Sequence, residues 1–161
     1  MDWKEAFVMQ ARSDYEMLER LNRSDCEYSH RLHYLQMFSE KLAKGWMAEF
    51  EARRPNLSHV VLVRMLQNLK GRPEVREHLG YSASSVFKRY IDSLLETARR
   101  VEALAPSSAG LEGPNPEYPW RDRATRHLFV PCQFEFTEFD PTSPRMQKLT
   151  DLLRRLLKVA E

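Results

Sequence analysis

The chain has 161 residues, 42% of them hydrophobic and 30% charged, with a formal net charge of +2, a composition that suits one globular domain around a single core. Its longest aliphatic run, Val60 to Val63, falls far short of the roughly 20 apolar residues of a membrane-spanning helix, and the small charge neither supports nor excludes a nucleic-acid partner. The start MDWKEAFVMQ lacks the basic and apolar regions of a secretion signal, so a cytoplasmic setting is expected.

Helical periodicity dominates the first two thirds of the sequence. Trp3, Phe7, Ala11, Tyr15, Leu18 and Leu21 recur at spacings of three and four, which predicts an amphipathic helix over residues 2–23. Ser24 and Asp25 break the pattern and offer a new N-cap. Tyr28, Leu32, Leu35, Phe38, Leu42, Trp46 and Phe50 then mark a longer second helix, with Glu27, Arg31, Glu40, Lys41 and Lys44 mostly off its apolar stripe. After Arg53, Arg54 and Pro55, Asn56 is placed to cap a third helix carrying Leu57, Val60, Val61, Leu62, Met65, Leu66 and Leu69. Gly71, Pro73 and Gly80 bracket a short turn. Ser82, Ser84 or Ser85 opens a fourth helix with Val86, Tyr90, Ile91, Leu94, Ala98, Val101 and Leu104 on one face.

Residues 105–127, APSSAGLEGPNPEYPWRDRATRH, have no usable period and are expected to form a loop. Beyond them, the alternation around Phe134 and Phe136 within Leu128 to Phe139 predicts an extended strand or small hairpin with both rings inward. Thr142 or Ser143 with Pro144 announces a last helix, whose stripe is Met146, Leu149, Leu152, Leu153, Leu156 and Leu157. The expected fold is therefore all-α: one domain, 1–161, forming an antiparallel bundle of four to five helices. A proline-rich loop and short extended insertion at 105–139 precedes the C-terminal helix at 143–160. Cys26 and Cys132 stand far apart without a close Cys or His, so both are read as reduced thiols.

The stretches ARSDYEML, YSHRLHYLQMFSEKLAKGWM and SHVVLVRMLQNL resemble the opening of HEPN domains, and the Glu40, Lys41, Lys44 trio is the most characteristic part. ETARRVEALAPSSAGLEGPNPEYPW followed by VPCQFEF is similar to a bacterial branch with a proline-rich turn and a short extended segment before the final helix. That resemblance implies a small helical bundle, commonly a homodimer. It also implies contact with RNA or nucleotide, with a metal-independent endoribonuclease of a toxin–antitoxin or defence system as one form; the alternative is a catalytically inactive dimeric module that binds another protein, such as a nucleotidyltransferase or antitoxin. It leaves open whether the chain is an enzyme. No cofactor and no metal is implied.

Cutting RNA without metal needs a proton acceptor for the 2′-hydroxyl and a cation for the phosphate, which His and Arg supply. The resemblance directs attention to an Arg and a His separated by four to six residues, and two such pairs stand out by position. Arg121 and His127 occupy the late segment, where Trp120 and Tyr118 would stack on bases and Arg123 and Arg126 would meet phosphate. The structural alternative has Tyr118, Pro119 and Trp120 plugging the end of the bundle while Arg121, Asp122, Arg123 and Arg126 face water. Arg54 and His59, in RPNLSH, would put His59 in the first turn of the third helix, where free amides favour an anion. Its alternative is a solvated cap. His30 and His33 share a helix but lack a third metal ligand, and Glu40 with Lys44 reads as an exposed i,i+4 pair or, if buried, as a group that brings Lys41 or Lys44 to phosphate.

Overall fold

A computed structural model describes residues 1–51, 59–106 and 113–160, with the side chains of Phe50 and Glu51 left aside. Its helices are α1 (Trp3–Asn22), α2 (Tyr28–Glu51), α3 (Leu62–Leu69), α4 (Pro73–His78), α5 (Ser84–Asp92), α6 (Leu95–Ala103) and α7 (Pro144–Ala160). The apolar stripes pack on one another around one core, so the expected all-α bundle with a small extended insertion before its last helix is what forms.

Local chemistry sets the helix ends. Asp2 Oδ1 accepts from the Glu5 amide at 2.8 Å while Glu5 Oε2 accepts from the Asp2 amide at 2.8 Å, a reciprocal cap that satisfies two otherwise orphaned donors. Ser24 closes α1 rather than opening α2: its hydroxyl donates to the Leu21 carbonyl at 3.0 Å. The Ser143 hydroxyl accepts from the Met146 amide at 3.3 Å and starts α7, beside Pro144 at the position where its missing N–H costs nothing. All six stripe residues of α7 are buried, against α1, α2 and α6.

α1 and α2 share the most extensive contact in the bundle, and Gly45 lets them approach. A Cβ there would lie 3.0 Å from Val8 Cγ2 and 3.5 Å from the Lys4 carbonyl, so the missing side chain lets the two backbones approach. Lys4 bridges Glu49 at 2.7 Å on one side of this contact, and Tyr15 tilts against Phe38 with ring centroids 5.1 Å apart on the other.

Three expectations are corrected. The third helix begins at Leu62, with Val61 as its N-cap, so His59 precedes the helix instead of lying in its first turn; Asn56 and Leu57 lie outside the described residues. The fourth helix is two, α5 and α6, because Ser93 turns its hydroxyl back onto the Tyr90 carbonyl at 2.7 Å and the chain tightens through Leu94. Among the described residues, pairing in the insertion is confined to β1 (Trp120–Arg121) and β2 (Leu128–Phe129), antiparallel, with Trp120 opposite Phe129 and Arg121 opposite Leu128. Pro131 has no N–H to extend the ladder, and tight 3-10 turns at Pro131–Gln133 and Thr137–Phe139 replace the rest of the expected strand. Phe136 is nonetheless buried and Phe134 half-buried, as the alternation requires.

Candidate functional site

The two Arg/His pairs meet different fates. In the insertion, Trp120 is only 2% exposed. Its ring lies 4.8 Å from Phe134, 5.6 Å from Phe129 and 6.0 Å from Phe136 between centroids. A side chain so enclosed plugs the bundle, and the base-stacking role expected of it is closed by its own packing. Tyr118 is 50% exposed and forms no part of that plug. The turn between β1 and β2 is knit internally. Asp122 accepts from the Thr125 amide at 2.7 Å and hydroxyl at 2.8 Å, and the Arg126 amide donates to the Asp122 carbonyl at 2.9 Å. Arg126 adopts φ of 60°, the left-handed conformation the turn demands.

Arg121 is drawn into this turn, its Nη1 donating to the Arg126 carbonyl at 2.8 Å. The exposed His127 ring sits edge-on to Phe129, with centroids 4.7 Å apart. The structure thus brings Arg121 to a backbone carbonyl and His127 to an aromatic ring. Arg123 and Arg126 are exposed on the same turn.

His59 is built into something else. Its Nδ1 lies 2.7 Å from Oε2 of Glu40, nineteen positions earlier on α2, and its side chain is 45% exposed. Glu40 is 3% exposed and fully engaged. Oε1 accepts from Lys44 Nζ at 2.6 Å and has Lys41 Nζ at 3.5 Å, while Oε2 also accepts from Gln36 Nε2 at 2.9 Å. Glu40 and Lys44 are therefore a buried pair, not the exposed one expected from their spacing. Lys44 lies inside, its ammonium 6.0 Å from the centroid of Phe7 on α1. Lys41 reaches the rim, its side chain 18% exposed.

Burial by itself would raise the Glu40 pKa. The hydrogen bonds from Lys44 and His59, the charge of Lys41 and the bond from Gln36 override it and hold the carboxyl at about 2. Glu40 is then an ionised, acceptor-only group at neutral pH. Nδ1 of His59 is then the donor between them, so in the uncharged tautomer the lone pair falls to Nε2. Arg54 lies outside the described residues. The sequence signal for Glu40 was its place in the trio, but its contact with His59 spans two elements and has no local spacing to reveal it.

Other polar groups line the same seam. Asp14 of α1 is buried, bound by Gln10 Nε2 at 2.9 Å through one oxygen, and burial pushes its pKa up against the opposing pull of Gln10, Lys41 and His33. His33 pairs with Glu117 at 3.7 Å, and His30 is exposed. Among the described residues no cluster of three His, Cys, Asp or Glu is arranged to hold a metal. A recess of about 300 Å³ near the start of α2, floored by Leu18, Leu32, Leu35, Phe139 and Met146, contains neither His59 nor His127. No helix among the described residues is long and apolar enough to cross a membrane.

The chain matches no family model, no curated protein and no solved structure.

Proposed function

We propose that this helical domain contacts RNA or a nucleotide through the surface around His59, and that His59, not His127, is the acid–base group of a metal-independent endoribonuclease. The observation that carries this reading is the 2.7 Å contact between Nδ1 of His59 and the buried carboxylate of Glu40. An ionised carboxylate behind an imidazole selects the tautomer whose outer nitrogen accepts a proton, as removal of a 2′-hydroxyl proton requires. Lys41, on the rim of the same cluster, supplies a cation for the phosphate, a task open to it because Lys44 already stands against Glu40 at 2.6 Å. The resemblance of the helix pattern to HEPN domains supports the same substrate class.

The test is cleavage of a mixed RNA substrate in excess chelator. His59→Ala should lower the rate by roughly 10²- to 10⁴-fold, and Glu40→Gln by a comparable factor through loss of the tautomer. His127→Ala should leave the rate unchanged. Full activity in His59→Ala would sink the assignment.

A second reading, a catalytically inactive homodimeric module that pairs with a nucleotidyltransferase or an antitoxin, is favoured by the surface of α1. There Met1, Val8 and Met9 line a shallow recess with Ala160 of α7, edged by Glu5 and Arg12, and Trp3 stacks in the open on Phe7 with centroids 6.1 Å apart. Absence of cleavage by the intact protein, together with a dimer in sedimentation equilibrium that Met9→Glu dissociates, would favour that reading over the nuclease.

A further inference from the structure

Helix α3 has no side chain of its own to cap its start, since Val61 occupies the N-cap position. Its first amides are served from a different helix. Glu102 of α6 is buried, and its Oε1 accepts from the Val63 amide at 2.9 Å. Burial raises the Glu102 pKa, and the backbone amides of Val63, Leu62 and Val61 pull against that rise. Val61 and Leu62 are themselves buried, so the backbone here is fixed by packing on one side and by Glu102 on the other. His59 and Val60 come immediately before this anchored point. The side chain of His59 reaches Glu40 on α2, whereas its backbone runs directly into the amides held from α6.

We propose that Glu102 is a positioning residue for His59: by clamping the start of α3 it sets where the imidazole emerges and keeps Nδ1 within reach of Glu40. The meaning of this device for catalysis rests on the acid–base reading of His59, but its existence does not. An ordinary helix cap would stabilise α3 without governing a ring two residues ahead of its N-cap. A positioning residue governs both.

The test reads the imidazole directly, by long-range proton–nitrogen correlation of His59 in the full chain at a pH where the ring is neutral. In the wild type the Nδ1-protonated form should dominate. In Glu102→Ala it should fall below half of the population, with the His59 signal shifted towards that of the Glu40→Gln variant. Glu102→Gln, which keeps an oxygen for the amides, should retain it. If Glu102→Ala does not fold, the decision passes to Glu102→Asp, whose shorter reach should lower the Nδ1-protonated fraction in a folded protein. An unchanged tautomer in a folded Glu102→Ala or Glu102→Asp variant overturns the proposal, even where the amides of Val61 to Val63 exchange faster. RNA cleavage separates the two claims. A shifted tautomer with no activity in the wild type keeps the positioning role and removes the nuclease. If the nuclease holds, Glu102→Asp should lower kcat by about tenfold with KM unchanged.

Discussion

His59 and His127 both stand at the surface, and both lean on something rigid, but the support differs in kind. Behind His59 is a buried carboxylate held by two lysines and a glutamine; behind His127 is the ring of Phe129. A carboxylate fixes which nitrogen carries the hydrogen and so gives the outer nitrogen a defined role. An aromatic edge fixes only where the ring lies. The insertion spends its polar groups on its own turn, Arg121 on the Arg126 carbonyl and Asp122 on Thr125, whereas the α1–α2 seam gathers its charges around one atom pair. Spacing of Arg and His alone does not distinguish these situations.

The widest gap between the two regions should appear in activity. A loss of roughly 10²- to 10⁴-fold in His59→Ala against none in His127→Ala is expected, and the reverse order would invert the comparison. Stability comes next. Lys44→Ala removes one partner of a buried pair and leaves Glu40 short of its nearest cation, and urea unfolding should register a loss of about 3 kcal/mol or more. The matching change in the insertion, Arg121→Ala, breaks one exposed contact and should cost roughly 1 kcal/mol or less.

Acid titration sharpens the same contrast. The Glu40 carboxyl is held at about 2 in the folded protein, below its ordinary value of 4.5. Its ion pairs therefore stabilise the fold fully above the ordinary value and are lost as pH falls from there towards 2, a change of up to about 3 kcal/mol. Glu40→Gln should flatten that part of the stability curve. Asp14 works in the opposite sense: burial raises its pKa, so its contribution is present while it is protonated and is lost as pH rises through the folded value. Asp14→Asn should therefore raise the melting temperature at neutral pH, and a lowered one would show that the buried charge is compensated after all.

The smallest effect is expected at Gly45. Alanine there gains helix propensity of about 1 kcal/mol but must push Val8 Cγ2 back from 3.0 Å, so Gly45→Ala alone should change unfolding by less than about 1 kcal/mol. Combined with Val8→Ala, the substitution should recover part of the cost of the Val8 truncation. A strictly additive double variant would mean that the two helices are not in contact at that point.

The helices were legible because their apolar stripes are long and regular. The α1 range differs from expectation by one residue at each end, and all six stripe residues of α7 are buried. What failed were features decided by single atoms. The hydroxyl of Ser93 divides the fourth helix, the missing amide hydrogen of Pro131 ends the ladder, and a carboxylate from α6 replaces the local cap expected for α3. The candidate site was half legible. His59 and Glu40 each stand out in the sequence, but as members of separate local groups. Their meeting depends on how the chain returns from α2 towards α3, which no short-range pattern encodes. Trp120 was legible as a special residue and ambiguous in role, since a large ring near arginines fits a plug and a base platform equally until its burial is known.

One further link ties the insertion down. The hydroxyl of Tyr28, at the first position of α2, donates to the carbonyl of Phe139, more than a hundred residues along the chain. Together with the buried Trp120 this gives residues 120–139 an anchor at either end. Such a double-stitched flap has no low-energy route for peeling away alone. A protease should reach the exposed turn between β1 and β2 first, and the backbone around the buried Phe136 and Phe139 only when the core opens.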